Sequence, residues 1–242
     1  MKNFLRELDM NLRQFLSPVV RWLIYLCVGV FLLIMIVSAV APNGVGLIYN
    51  LLGASVSHTL LKGQLWQLVT YAFVHVGFGH LFFNLLGLYF FGQRLEFRWG
   101  SPQFARFCVI VGAGAVLTHL AVVSIMHQVS GVSMGSTIVG ISGVVYGVMI
   151  ACALYYPDDI VYFQFFIPIK LKYLVAIMGV LTFVSAAGNR GQIAHLTHLG
   201  GLLFGFLYVK TPWMFDWVPT IKRVPFRKGP RYVDPRERWR RR

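Results

Sequence analysis

The chain has 242 residues, 57% hydrophobic and 12% charged, with a mean hydropathy of +0.67, which excludes a soluble domain of ordinary composition. Its net charge of +14 invites a nucleic-acid reading, yet the cations sit outside the apolar runs and at the chain ends, as in a membrane protein, so no nucleic-acid partner is expected. Three cysteines, Cys27, Cys108 and Cys152, lie in or beside apolar runs; their odd number speaks against a disulfide framework, and they read as small core residues.

A spanning helix needs about 20 mainly apolar residues. Residues 1–18 form a polar amphipathic lead with Lys2, Arg6 and Arg13, and the first span follows from Val19 to Ala41. Ala39-Val40-Ala41 resembles a signal-peptide cleavage site, but the apolar run exceeds a signal core of about 7–15 residues and Pro42 follows at once, so the segment reads as a retained anchor. From Asn43 to Gly79 runs a long connection whose Leu47, Leu51, Leu60, Leu65 and Trp66 are too apolar for a solvated loop; it is expected in the membrane interface, with an irregular backbone covered by protein. The second span starts at His80 and ends near Leu95, with Arg94, Glu96 and Arg98 at its exit.

Residues 107–157 hold no Asp, Glu, Lys or Arg, too long a stretch for one crossing. The polar interruption from Gln128 to Thr137 divides it into a third span, Phe104 to Ile125, and a fourth, Gly140 to Tyr156, stopped by Pro157-Asp158-Asp159. The fifth span follows Lys170 and Lys172 to about Ala187. Gly188-Asn189-Arg190-Gly191 then turns into the sixth, His195 to Val209. The expected organisation is an all-α membrane protein: a lead (1–18), a six-transmembrane-helix bundle (19–210) with a long interfacial first loop, and a basic tail (211–242). From Ile221 the tail carries ten Lys/Arg against Asp234 and Glu237, and its expected partner is anionic lipid of the bilayer. No internal repeat is visible.

Six spans put both termini on one side. The lead, the 94–106 and 157–172 turns and the tail, with Arg21 and Lys210 at their borders, together hold 20 of the 22 Lys/Arg, leaving Lys62 and Arg190 opposite, so both termini are expected in the cytoplasm of a multi-pass cell-membrane protein.

Spans two, four and six then enter from the same non-cytoplasmic side. His80 with Asn84, Ser142, and His198 each lie within the first turn or two of their span, in one shallow layer. Gly140-Ile141-Ser142-Gly143, with Gly147 one turn on, exposes a hydroxyl on a face another backbone can approach; His198-Leu199-Gly200-Gly201, with Gly205, is its match. Taken alone, such small-residue stripes are ordinary packing devices. A serine hydroxyl becomes a nucleophile when a base takes its proton, and imidazole suits neutral pH. No Asp or Glu falls inside a span, so the expected unit is a Ser142–His198 dyad, with Tyr146 one turn below Ser142 to stack on the imidazole. His195, three residues before His198, is the rival base; His198 is preferred because Gly201 and Gly205 continue its face. His80 and Asn84, one turn apart, are candidate donors to a developing oxyanion, or helix–helix glue.

These residues resemble the rhomboid intramembrane serine proteases. That family carries Gly-x-Ser-Gly on its fourth span (Gly140 to Gly143 here), a histidine ahead of small residues on the sixth (His198-Leu199-Gly200-Gly201), and His-xxx-Asn on the second (His80 to Asn84). Trp66-Gln67 falls where the family usually has Trp-Arg. The resemblance covers about residues 45 to 210 and implies a six-helix bundle, functional as a monomer, that hydrolyses peptide bonds in or near the transmembrane segment of protein substrates through an acyl-enzyme. It implies Ser142 as nucleophile, His198 as base, and His80, Asn84 and the Ser142 backbone N–H at the oxyanion, with no metal, nucleotide or other cofactor.

Three other readings compete. Metal or haem draws on the unassigned His58, His75, His119, His127 and His195, but the chain has no His-Glu-x-x-His, no intramembrane carboxylate and no thiolate pair at ligand spacing. A catalytically inactive relative that binds membrane proteins would be favoured had Ser142 or His198 been replaced, and neither is. A transporter would show broken helices and repeat symmetry, which are not evident.

Overall fold

A computed structural model describes residues 15–163, 166–188 and 194–211. The lead up to residue 14, most of the turn before the sixth expected span and the basic tail lie outside these residues.

The first helix, α1 (Pro18–Val40), has Pro18 in its first turn, where the missing N–H costs nothing, but Ser17 supplies no side-chain cap. Glu96 does so from across the fold. Its Oε2 accepts from Val20 N (3.0 Å) and the Ser17 hydroxyl (2.6 Å), and its Oε1 from Val19 N (2.9 Å) and the Ser101 hydroxyl. A buried carboxylate is tolerated because every donor around it is aimed at it and because it meets the positive end of a helix.

The long connection is helical rather than irregular: α2 (Gly44–Leu52), a π-helical turn (Val56–Leu61), then α3 (Gln67–Thr70) running into a 3₁₀ turn (Tyr71–Phe73). Gln67 is fully buried; it accepts from Thr59 Oγ1 at 2.7 Å and donates to the Asn50 carbonyl at 2.7 Å and to the Gln64 amide oxygen at 2.8 Å. A neutral amide, which can both donate and accept, closes this network; an arginine at this position could only donate.

The chain then bends by 103° into α4 (Phe78–Gly87), which continues through a π-helical turn (Leu88–Gly92) into α5 (Gln93–Trp99). The long α6 (Ser101–Ser130) follows, half of its most apolar stretch buried. Next comes α7 (Ser142–Tyr155), apolar on all sides and buried at most positions, which makes it the centre of the bundle. Finally, α8 (Leu171–Gly188) and α9 (Ala194–Lys210) complete the described helices.

By length and composition three helices, α1, α6 and α8, can each cross a membrane, and the bent α3 to α5 stretch is a fourth candidate. The protein is therefore a multi-pass membrane protein. α7, with 14 residues, and α9, with 17, are shorter than the roughly 20 residues a full crossing takes. A second expectation needs amending: the fold is not purely α. The 157–172 connection, expected as a turn, carries an antiparallel hairpin of β1 (Ile160–Phe163) and β2 (Ile167–Lys170), with Ile160 opposite Lys170. Its β-branched and aromatic residues favour extended backbone, and Asp159 closes its base by accepting from Leu171 N at 2.9 Å.

Candidate active site

Three close approaches bring the site together. The first is between α7 and α9. A Cβ on Gly201 would lie 2.1 Å from the Gly143 carbonyl oxygen, and one on Gly205 would lie 2.7 Å from Gly147 Cα, so the two helices touch backbone to backbone. Side chains flanking such a seam meet at short range. Here His198 Nε2 lies 2.8 Å from Ser142 Oγ.

The second approach sets the imidazole plane. The Tyr146 ring stacks on that of His198, with centroids 4.4 Å apart and planes at 5°. Tyr146 is held in turn by α8, where the Thr182 hydroxyl donates to the tyrosine oxygen at 3.3 Å. His198 Nδ1 is buried with no protein partner among the described residues. For Nε2 to accept the serine proton, the neutral ring must carry its hydrogen on that Nδ1, where no carboxylate waits. His195 lies with its ring centroid 6.0 Å from that of His198, edge to face, and it is His198 that reaches Ser142.

The third approach brings α4 to the loop before α7. Gly140 has φ +110°, a conformation open to glycine, and a Cβ there would meet His80 Cε1 at 2.6 Å, with Asn84 Nδ2 at 3.8 Å. Gly140 is thus required twice, by its backbone and by the His80 ring packed against it. The loop is pinned from the long connection: Ala54 and Ile138 exchange backbone hydrogen bonds at 3.0 and 2.7 Å, and Gly140 N donates to the Tyr71 carbonyl at 2.9 Å. The Asn84 amide nitrogen is buried and donates to nothing among the described residues. An unpaired buried donor is costly, and this one lies against Gly140, two residues before Ser142 in the chain.

All the singled-out residues therefore converge: Ser142, His198 and Tyr146 in contact, Gly143 and Gly201 in the seam beneath them, and Gly140, His80 and Asn84 on the adjoining wall. Ser142 opens α7, so its backbone N–H is among the first-turn donors without an intrahelical acceptor and faces the positive end of the helix. Two further residues escape sequence reasoning. Thr182, a lone hydroxyl in an apolar run, reads as a packing residue until Tyr146 is seen beside it. His75, fully buried, points Nδ1 at the Phe73 carbonyl (3.3 Å) and stands edge to face with His80, centroids 5.0 Å apart. His119 is buried within α6.

Comparison with known proteins places this geometry in context. The rhomboid domain family matches residues 62–214. RHOMBOID-like protein 12, mitochondrial, of Arabidopsis thaliana is 32% identical over 150 residues, 58% of this chain and 44% of that protein. Rhomboid protease GluP of Bacillus subtilis is 30% identical over 154 residues, 64% of this chain and 27% of that protein. Rhomboid protease GlpG of Klebsiella pneumoniae is 35% identical over 89 residues, 37% and 28% of the respective chains. The chain spans less than half the length of each of these relatives.

Proposed function

The chain belongs to the rhomboid family, and from that membership we propose that it is an intramembrane serine endopeptidase cleaving membrane-protein substrates in or near their transmembrane segments. The observation that carries the proposal is the 2.8 Å approach of His198 Nε2 to Ser142 Oγ at the start of two touching helices. In the first half-reaction His198 takes the Ser142 proton as Oγ attacks the scissile carbonyl, and the carbonyl π pair moves onto oxygen. His198 then hands that proton to the leaving amine as the C–N bond breaks, which leaves an acyl-enzyme. Water, deprotonated by the same imidazole, attacks the ester carbonyl; the acyl C–Oγ bond then breaks, His198 returns the proton to Ser142 Oγ and the new C-terminal carboxylate leaves.

The oxyanion is received by His80, the Asn84 amide and the Ser142 backbone N–H, preset donors in a site poor in competing water. Tyr146 takes the orienting part a carboxylate plays in triads, holding the ring by stacking rather than by charge. The family reading adds α7 and α9 to the crossings, for six in all with both termini cytoplasmic. At about 1.5 Å per residue α7 is only ~21 Å long, short of a hydrocarbon core of about 30 Å, which sets Ser142 in a shallow layer reachable by water.

The test is co-expression of the full chain with a panel of single-span substrates in the same membrane, wild type against Ser142→Ala and His198→Ala. Cleavage by wild type alone, with both variants folded and membrane-inserted, is the expected result. Cutting at near wild-type rate by both variants would overturn the dyad. A folded wild type that cuts nothing while retaining substrates on pull-down would favour the inactive, binding relative.

A further inference from the structure

Tyr155 closes α7 thirteen residues after Ser142, so its end of the bundle lies about 20 Å from the dyad. The charges there do not balance. The described residues include three carboxylates at this end, each already engaged: Glu96 by the start of α1 and by Ser101, Asp158 by Lys170 and Lys172, and Asp159 by Arg94. Arg98 is left with no carboxylate or hydrogen-bond acceptor among the described residues. Its guanidinium lies over the Tyr155 ring, 4.2 Å from the centroid, which orients the fork without neutralising it. The Trp99 indole N–H and the Gln103 amide also have no protein acceptor there.

These three side chains, with Tyr155, Tyr208 and Val209, line a cavity of about 470 Å³. Its lining comes from α5, α6, α7 and α9 together, with the Trp99 ring 5.8 Å from that of Tyr155 and 6.0 Å from that of Tyr208. The lining offers a full cation and several N–H and O–H donors and contains no carboxylate, a donor set that suits an oxyanion. Phe97, the residue before Arg98 in α5, is exposed, an apolar side chain on the outside of a membrane bundle.

We propose that this cavity binds the headgroup phosphate of one anionic phospholipid in the leaflet remote from the dyad. The volume is that of a small-molecule site, the Trp and Tyr rings fit the glycerol and ester level where such rings collect, and an acyl chain can run out along Phe97 into the bilayer. A choline headgroup would bring its own cation against Arg98, which selects for a headgroup of net negative charge. The bound lipid ties together the far ends of α7 and α9, the two helices that carry Ser142 and His198. The inference stands apart from proteolysis, since it concerns binding alone.

The experiment uses the full chain purified in zwitterionic detergent, titrated with phosphatidylglycerol, phosphatidylcholine or inorganic phosphate, and read by native mass spectrometry and thermal melting. Wild type is compared with Arg98→Gln and Gln103→Leu. Wild type should retain one phosphatidylglycerol and melt higher with it. Arg98→Gln should bind it roughly tenfold more weakly and lose that rise, and Gln103→Leu roughly threefold more weakly. The cationic tail is present in all three proteins, so a difference between them reports the cavity. Equal retention of phosphatidylglycerol by wild type and both variants overturns the proposal, as does equal stabilisation by phosphatidylcholine. Stabilisation by inorganic phosphate matching that by the lipid overturns it in favour of a soluble anion. If Arg98→Gln fails to fold in phosphatidylcholine, Gln103→Leu against wild type decides by the same criteria.

Discussion

Replacing Gly201 by alanine tests whether helix spacing, and not merely the presence of Ser142 and His198, makes the site. The new Cβ would sit 2.1 Å from the Gly143 carbonyl oxygen, against about 3.4 Å for ordinary contact, so α7 and α9 must part by ~1.3 Å at that point. His198 lies one turn before Gly201 on the same face. If the separation carries over, the 2.8 Å approach of Nε2 to Ser142 Oγ opens to ~4.1 Å, beyond the roughly 3.2 Å within which a base accepts a proton. A misplacement of about 1 Å is worth roughly 100-fold in rate, and overpacking costs about 1–3 kcal/mol of stability. Alanine also favours helix over glycine by about 1 kcal/mol, so the substitution does not weaken α9 itself. The assay is the rate at which a fluorophosphonate labels Ser142 in reconstituted protein, alongside cleavage of a single-span substrate and circular dichroism. Expected are unchanged helicity and labelling slowed by about 100-fold. Labelling and cleavage at the wild-type rate in a folded Gly201→Ala protein would refute the spacing argument.

Asn84→Ala should lower kcat by about 100- to 1,000-fold with little change in KM, because a donor aimed at the oxyanion gains its contact only after attack; an unchanged kcat with a lowered Tm would make it helix glue instead. His198→Ala should abolish serine labelling while His195→Ala leaves most of it, and the reverse pattern would exchange their roles. Thr182→Val removes the hydroxyl that holds Tyr146, so a loss of about tenfold in kcat, rescued by Thr182→Ser, is expected; equal activity of all three proteins would leave Tyr146 held by packing alone. A reporter fused after Arg242 should read cytoplasmic and a tag near Asn189 should be reachable from the other side, and inverted results for both would put the dyad layer on the opposite face.

Much of this protein was readable from residue order alone, because the membrane imposes a crude and strong code. Apolar runs of fixed length mark helices, and the structure starts and ends them close to the expected positions: Pro18–Val40 against 19–41, Leu171–Gly188 against a span expected to follow Lys172 and end near Ala187. Glycines at four-residue spacing name the faces that can touch, and the Gly143–Gly201 and Gly147–Gly205 seams do touch. What only the tertiary structure decided is whatever depends on partners distant in sequence or on backbone direction. Glu96 reads as an exit charge until Ser17 and the first turn of α1 close around it, 79 residues away at Ser17. Gly140 reads as one more small residue until its φ of +110° and the His80 ring above it are seen. Gln67 and Thr182 carry no local signal, since an amide or a hydroxyl in an apolar run is silent about which carbonyl or phenol it will meet. Periodicity and charge are properties of a segment and survive in the sequence; a hydrogen bond belongs to two segments, and only packing determines which two.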